Sequence, residues 1–137
     1  RTTPPTYPEW VKKVKHPELE LAGPSDFDVS KLDQWLRPDQ VNGVVSGDMI
    51  YEHLKANRIL EICLNLGDLK AIQEKGFTFF RKYFQGKAVF GWKSVVLNRN
   101  GSLHVPYLIK LDGMVVLDWA WLGHVWNANN PALRFAS

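Results

Sequence analysis

The order of apolar and polar positions divides this chain of 137 residues into three stretches with different periods. Residues 1–45 hold no lasting period. Pro4, Pro5, Pro8, Pro17, Pro24 and Pro38 recur there, and each removes a backbone donor and biases the preceding residue away from helix. Glu9 to Lys15 leaves room for one short turn. Val29, Leu32 and Leu36 fall at i, i+3 and i+7 with Trp35 beside them, which predicts a short helix over 25–36. Tyr7, Trp10, Phe27 and Trp35 would be exposed aromatics on a free arm, so this Pro-rich arm is expected to wrap a core.

Residues 46–86 read as helices. Ser46 is a sound N-cap with Asp48 in the first turn, and Ile50 and Leu54 mark the buried side of a helix ending near Asn57. Ile59, Ile62, Cys63 and Leu66 repeat the helical spacing, with Gly67 as the stop. Asp68 then caps a short helix carrying Leu69 and Ile72 and closed by Gly76. A last helix over 77–85 places Phe77, Phe80 and Phe84 on one stripe, with Arg81 and Lys82 free to face outward, before Gly86.

From Lys87 the period shortens to two. Ala88, Phe90, Trp92, Ser94 and Val96 point one way, and the residues between them the other. Asn98-Arg99-Asn100-Gly101 predicts a hairpin turn, residues 103–111 alternate again, and Asp112-Gly113 predicts a second turn into a strand over 114–122. Ala132 to Ala136 suits a short edge strand. Pro106 conflicts with a plain meander, in which its strand is central and its missing donor would break a ladder. The expected architecture is therefore one α+β domain: arm 1–45, a small helical cluster 46–86, and a three- to four-stranded antiparallel sheet over 87–137.

Composition adds bounds. The chain is 45% hydrophobic and 23% charged, which suits one globular domain with a core of its own. Cys63 is the one cysteine, so no disulfide framework exists within the chain. The net charge of +3 is mild, but it is unevenly placed. Residues 1–45 carry six Lys/Arg against seven Asp/Glu, residues 46–86 six against five, and residues 87–137 five against two. The basic excess thus sits with four of the six tryptophans. No stretch reaches the roughly 18 apolar residues of a membrane span, so no membrane partner is expected and a cytoplasmic location is. The first residue is Arg1 rather than Met, which leaves a trimmed leader open.

Candidate chemistry is sparse. His16, His53, His104 and His124 show no metal-ligand spacing, no nucleotide-binding glycine loop can be written over the chain, and Cys63 lies on an apolar stripe where a thiol is inert. No catalytic set, metal or cofactor follows from these patterns. Asp118 is the one acid in the strand pattern, and a small hydrolase would have to pair it with His104 or His124. A non-enzymatic binding module is the reading favoured here. Nucleic acid is its first ligand: Arg81, Lys82, Lys87, Lys93, Arg99 and Lys110 supply phosphate contacts, and Trp126 in an Asn-rich loop supplies an exposed stacking ring. Trp92, Trp119 and Trp121 are expected to fill the core. Helices followed by a hairpin also match the outline of a winged helix, with Phe77–Gln85 as recognition helix and Arg99 and Asn100 at the wing tip. The competing reading is a protein partner or self-association through the aromatic arm or an edge strand.

Overall fold

A computed structural model of the protein describes residues 5–136. Its elements in chain order are β1 (Val11–Val14), β2 (Asp33–Trp35), β3 (Val45–Ser46), α1 (Gly47–Ala56), α2 (Leu66–Glu74), α3 (Phe77–Phe84), β4 (Val89–Phe90), β5 (Val96–Asn98), β6 (Leu103–Leu111), β7 (Met114–Trp121), β8 (Val125–Trp126) and β9 (Ala132–Arg134), with short 3-10 turns between them. No helix among the described residues is long and apolar enough to cross a membrane.

The alternating period does build β6 and β7, joined at Asp112-Gly113, where both residues have positive φ of 51° and 75°. The sheet around them corrects the expected three to four antiparallel strands. It has seven strands, in the order β1-β5-β6-β4-β9-β2 with β7 on the other flank of β6. It is mixed, because β4 and β9 run parallel at Phe90 and Ala132. A separate two-stranded sheet joins β3 to β8. The extra strands come from segments with no strand period. The arm contributes β1 in place of a helical turn and β2 in place of the end of the helix over 25–36, of which a 3-10 turn survives at Val29–Lys31. Both find open ladders, on β5 and β9. Tertiary hydrogen bonds outweigh a weak local preference. The tail strand, expected at an edge, is internal, between β4 and β2.

Pro106 is accommodated by a break in the neighbouring strand. Its carbonyl accepts from Gly91 N at 3.0 Å, so its nitrogen faces the same flank. On that flank β4 ends, a 3-10 turn at Trp92–Ser94 intervenes, and β5 begins. No donor is required where the partner strand has left the ladder.

Of the four helices expected over residues 46–86 three form. Ser46 caps α1, its Oγ accepting from Met49 N at 3.3 Å. Asn65 and Asp68 form a reciprocal capping box at α2, so Gly67 lies inside that helix and is not a stop. The helix expected over Ile59–Leu66 is instead a 3-10 turn at Leu60–Ile62 followed by extended chain. Leu64 N donates to Leu133 O at 3.1 Å and Phe135 N to Ile62 O at 2.8 Å. Pairing with β9 takes the donors a helix would have used.

Helices cover both sheet faces. Val105, Tyr107 and Phe90 look toward α1, packing with Ile50, Leu54, Trp92 and Trp126. Val89, Leu108 and Val115 look toward α2 and α3, packing with Leu69, Ile72, Phe80 and Phe84. The arm is fastened by buried polar bonds as well as by strands. Asn65 Nδ2 donates to Glu20 O at 3.0 Å and Lys93 Nζ to Ala22 O at 3.3 Å. The Tyr7 hydroxyl bonds the Glu20 carboxylate and lies 3.1 Å from Ser94 Oγ. Burial, followed by the Glu20 hydrogen bond, pushes that hydroxyl well above the ordinary tyrosine range.

Candidate interaction surface

The residues expected to bind nucleic acid do not assemble into one patch. Lys93 is fully buried and reaches Ala22 rather than solvent. Trp126, expected in the open, is only 2% exposed. Strand β8 pairs with β3 and turns this ring against Phe90 and Trp92, at centroid distances of 5.2 and 5.6 Å. Arg81 and Lys82 are exposed on α3, and Arg81 shares the Phe77 ring with Lys110, the two cations lying 5.6 and 5.4 Å from its centroid. Lys87 donates to Gln34 Oε1 at 2.7 Å. Arg99 lies beyond the other end of β6, donating to Glu9 O at 3.0 Å. Nine residues of strand put roughly 25 Å between the two groups of cations. Helix α3 buries Phe80 and Phe84 against the sheet and turns Arg81 and Lys82 outward.

Two tryptophans do reach solvent, and they are not the expected one. Helices α2 and α3 cover the Val115–Leu117 end of β7 and leave the other end to the arm. There Trp10 is 38% and Trp121 49% exposed, and Trp119 is half-buried. Trp10 packs edge-on against His104 and Trp119 at 5.5 and 5.2 Å, Tyr7 lies 6.3 Å from Trp119, and His124 packs edge-on to Trp121 at 5.5 Å. A cavity of about 380 Å³ opens here, between Trp10, His104, Asp118 and Trp119 on one side and Asn98, Arg99 and Asn100 of the β5–β6 turn on the other. Alternation along residues 114–122 is visible in the sequence; which half of that face lies beneath a helix is not.

Strand β7 is also an edge, since β6 is its one partner in the sheet. Leu122 N donates to Leu103 O at 3.0 Å, which sets the ladder's phase. Val116, Asp118 and Ala120 turn their backbone groups toward β6, while Val115, Leu117, Trp119 and Trp121 turn theirs outward. Three outward groups are occupied. Gln73 Nε2 donates to Val115 O at 3.0 Å, Trp119 N to the Asp118 carboxylate at 2.8 Å, and His124 N to Trp121 O at 3.0 Å. The N–H and C=O of Leu117, the C=O of Trp119 and the N–H of Trp121 have no partner among the described residues. Asp118 thereby acquires a role. Its carboxylate covers a donor that would otherwise template strand pairing, a common protection of sheet edges.

No hydrogen bond or ion pair joins Asp118 to His104 or to His124 among the described residues. Asp118 is paired with Tyr107 and His104 with Trp121, but the Asp118 carboxylate turns over the strand edge onto Trp119 N, and Asp118 and His104 both line the cavity beside Trp10. Burial pushes the Cys63 thiol up to about 12, which leaves no nucleophile there. No protein-family model, curated protein or solved structure matches the chain.

Proposed function

We propose that this protein is a non-enzymatic interaction module that takes an extended peptide segment as an added strand on β7. The observation that carries this reading is the set of unmade backbone hydrogen bonds at Leu117, Trp119 and Trp121, on a strand of eight residues beside exposed aromatic rings. An added strand uses those groups for affinity, and its alternating side chains for specificity. One set lies over Trp119 and Trp121. The other meets Asp118, the single charge on β7, which favours Lys or Arg in the partner at that register.

The test compares Leu117→Pro with Leu117→Ala in selection from a library of displayed decapeptides. Both variants lose the leucine side chain, but the first alone loses the outward N–H, and an edge strand tolerates Pro at such a position. Wild type and Leu117→Ala are expected to hold the selected peptides with affinities within a few-fold, and Leu117→Pro to lose about tenfold or more. Equal binding by all three refutes strand addition. The nucleic-acid reading keeps one specific support, the cavity that joins Trp10 and Trp119 to Arg99 beside the exposed Lys12 and Lys13 of β1. Binding of oligo-dT that falls steeply with salt and is lost in Trp10→Ala would favour it.

A further inference from the structure

The cavity of about 380 Å³ beside Trp10 combines aromatic rings with side chains of both charges. We propose that it is a binding site for a neutral sugar, a pyranose ring whose hydroxyls stand equatorial.

The aromatic rings meet at a corner. Trp10 and Trp119 cross at 87° with centroids 5.2 Å apart, and Trp10 crosses His104 at 64°. Rings crossed in this way cannot both lie flat against one planar base. A pyranose is thicker than a base, and equatorial hydroxyls leave bare axial C–H bonds on both of its faces. These weakly positive hydrogens suit the negative face of an indole. Trp10 is 38% exposed and Trp119 half-buried, so each keeps open surface for such a contact.

Charge selects in the same direction. Arg99 and Asp118 line one cavity with opposite signs. A phosphate there would meet the Asp118 carboxylate and a cation the Arg99 guanidinium, whereas a neutral ligand meets no repulsion. Donors and acceptors are mixed in the same way. Arg99 spends one donor on Glu9 O at 3.0 Å and has others to give. Asp118 accepts from Trp119 N at 2.8 Å through Oδ1, which leaves Oδ2. Asn98 Oδ1 accepts from Asn100 N and Ser102 N at 3.0 and 2.8 Å, which leaves the amide nitrogen as donor. Each sugar hydroxyl both donates and accepts, so neighbouring hydroxyls can use a carboxylate and these donors together.

The walls are in place before any ligand arrives. Strand β1 pairs with β5 at Val11 and Asn98, and the Arg99–Glu9 bond ties the turn to the residue before Trp10. Within the turn Asn98 N donates to Ser102 O at 2.9 Å and Gly101 N to Asn98 O at 3.1 Å. A site held in this way needs little ordering on binding.

The experiment titrates cellohexaose and chitohexaose, and separately oligo-dT, into the full chain by calorimetry and by amide and indole NMR. At least one of the two sugars is expected to saturate a single site below about 10 mM, with the same affinity at low and high salt. The Trp10 and Trp119 indoles should move together with the amides of residues 98–101. Trp10→Ala should weaken the sugar about tenfold or more. Asp118→Asn keeps an acceptor for Trp119 N but loses the charge, and should weaken the sugar about tenfold, with circular dichroism as the check on folding. The proposal is overturned if neither sugar saturates, if the indoles that move are those of Trp121 and Trp126, or if Asp118→Asn binds sugar as well as wild type does. Binding of oligo-dT alone, falling steeply with salt, also overturns it and favours nucleic acid. Strand addition on β7 is read separately by peptides and Leu117→Pro, so either reading can fail while the other holds.

Discussion

Adding one methyl group at Gly47 probes how the start of α1 is seated on the sheet. A Cβ built there would lie 2.5 and 2.7 Å from two ring atoms of Trp126 and 2.7 Å from the Leu122 carbonyl oxygen. Ordinary contact begins near 3.4 Å, so something must move by close to an ångström. Neither neighbour moves freely. Trp126 is packed between Phe90 and Trp92, and the Leu122 carbonyl accepts from Asp48 N at 3.0 Å in the same turn. Overpacking of this kind costs about 1–3 kcal/mol. The intrinsic preference of helices for Ala returns at most ~1 kcal/mol, less at a first helical position. Gly47→Ala should therefore be net destabilising by about 1–2 kcal/mol, equivalent to roughly 3–8 °C in Tm for a domain of this size. Thermal unfolding followed by far-ultraviolet circular dichroism measures the shift, and the near-ultraviolet signal reports the tryptophan environment. Pairing the change with Trp126→Leu should recover part of the loss, a non-additivity expected of residues in contact. A Tm equal to or above that of wild type refutes the packing argument.

Two further outcomes follow from particular contacts. His16 Nε2 lies 2.5 Å from the Tyr51 hydroxyl, and burial lowers its pKa, with Glu18 opposing the shift more weakly. Its unfolded form binds a proton more readily than its folded form, so its contribution to stability is present above the ordinary histidine pKa of about 6.5 and is lost as pH falls toward the folded value. Urea midpoints between pH 5 and 8 should fall on the acid side, and His16→Gln should flatten that slope; an unchanged slope refutes the assignment. Asp118→Ala uncovers the Trp119 N–H and removes the one charge from β7. Self-association measured by sedimentation should tighten about fivefold, the equivalent of ~1 kcal/mol of hydrogen bonding, whereas unchanged sedimentation over a wide concentration range denies Asp118 its guarding role.

Sequence reasoning succeeded where the decisive interactions are local. Ser46 caps α1 through a residue three positions on, and Asp112-Gly113 turns the chain between β6 and β7 whatever lies around it. It failed where a remote partner decided the outcome. Val11–Val14 has no strand period, but an open ladder on β5 recruits it. Ile59, Ile62, Cys63 and Leu66 carry helical spacing, yet the segment pairs with β9 and its neighbour Phe135 through Leu64 N and Ile62 O. Of the residues singled out for binding, Lys93 turned inward beneath the arm and Trp126 inward behind Gly47. No periodicity could show either, since both depend on segments tens of residues distant.

By itself the sequence determined the α+β character, three helices and the Ser46 cap of the first, and the two hairpin turns that create β6 and β7. These rest on backbone preferences and on side-chain spacing over a few residues. Tertiary structure alone decided that the sheet has seven strands, that Pro106 faces a gap in its neighbour, and that Trp92 and Trp126 look inward while Trp10 and Trp121 look out. The physical reason is the same in each case. Burial and ladder pairing are properties of two surfaces meeting, and a one-dimensional pattern specifies one of those surfaces at a time.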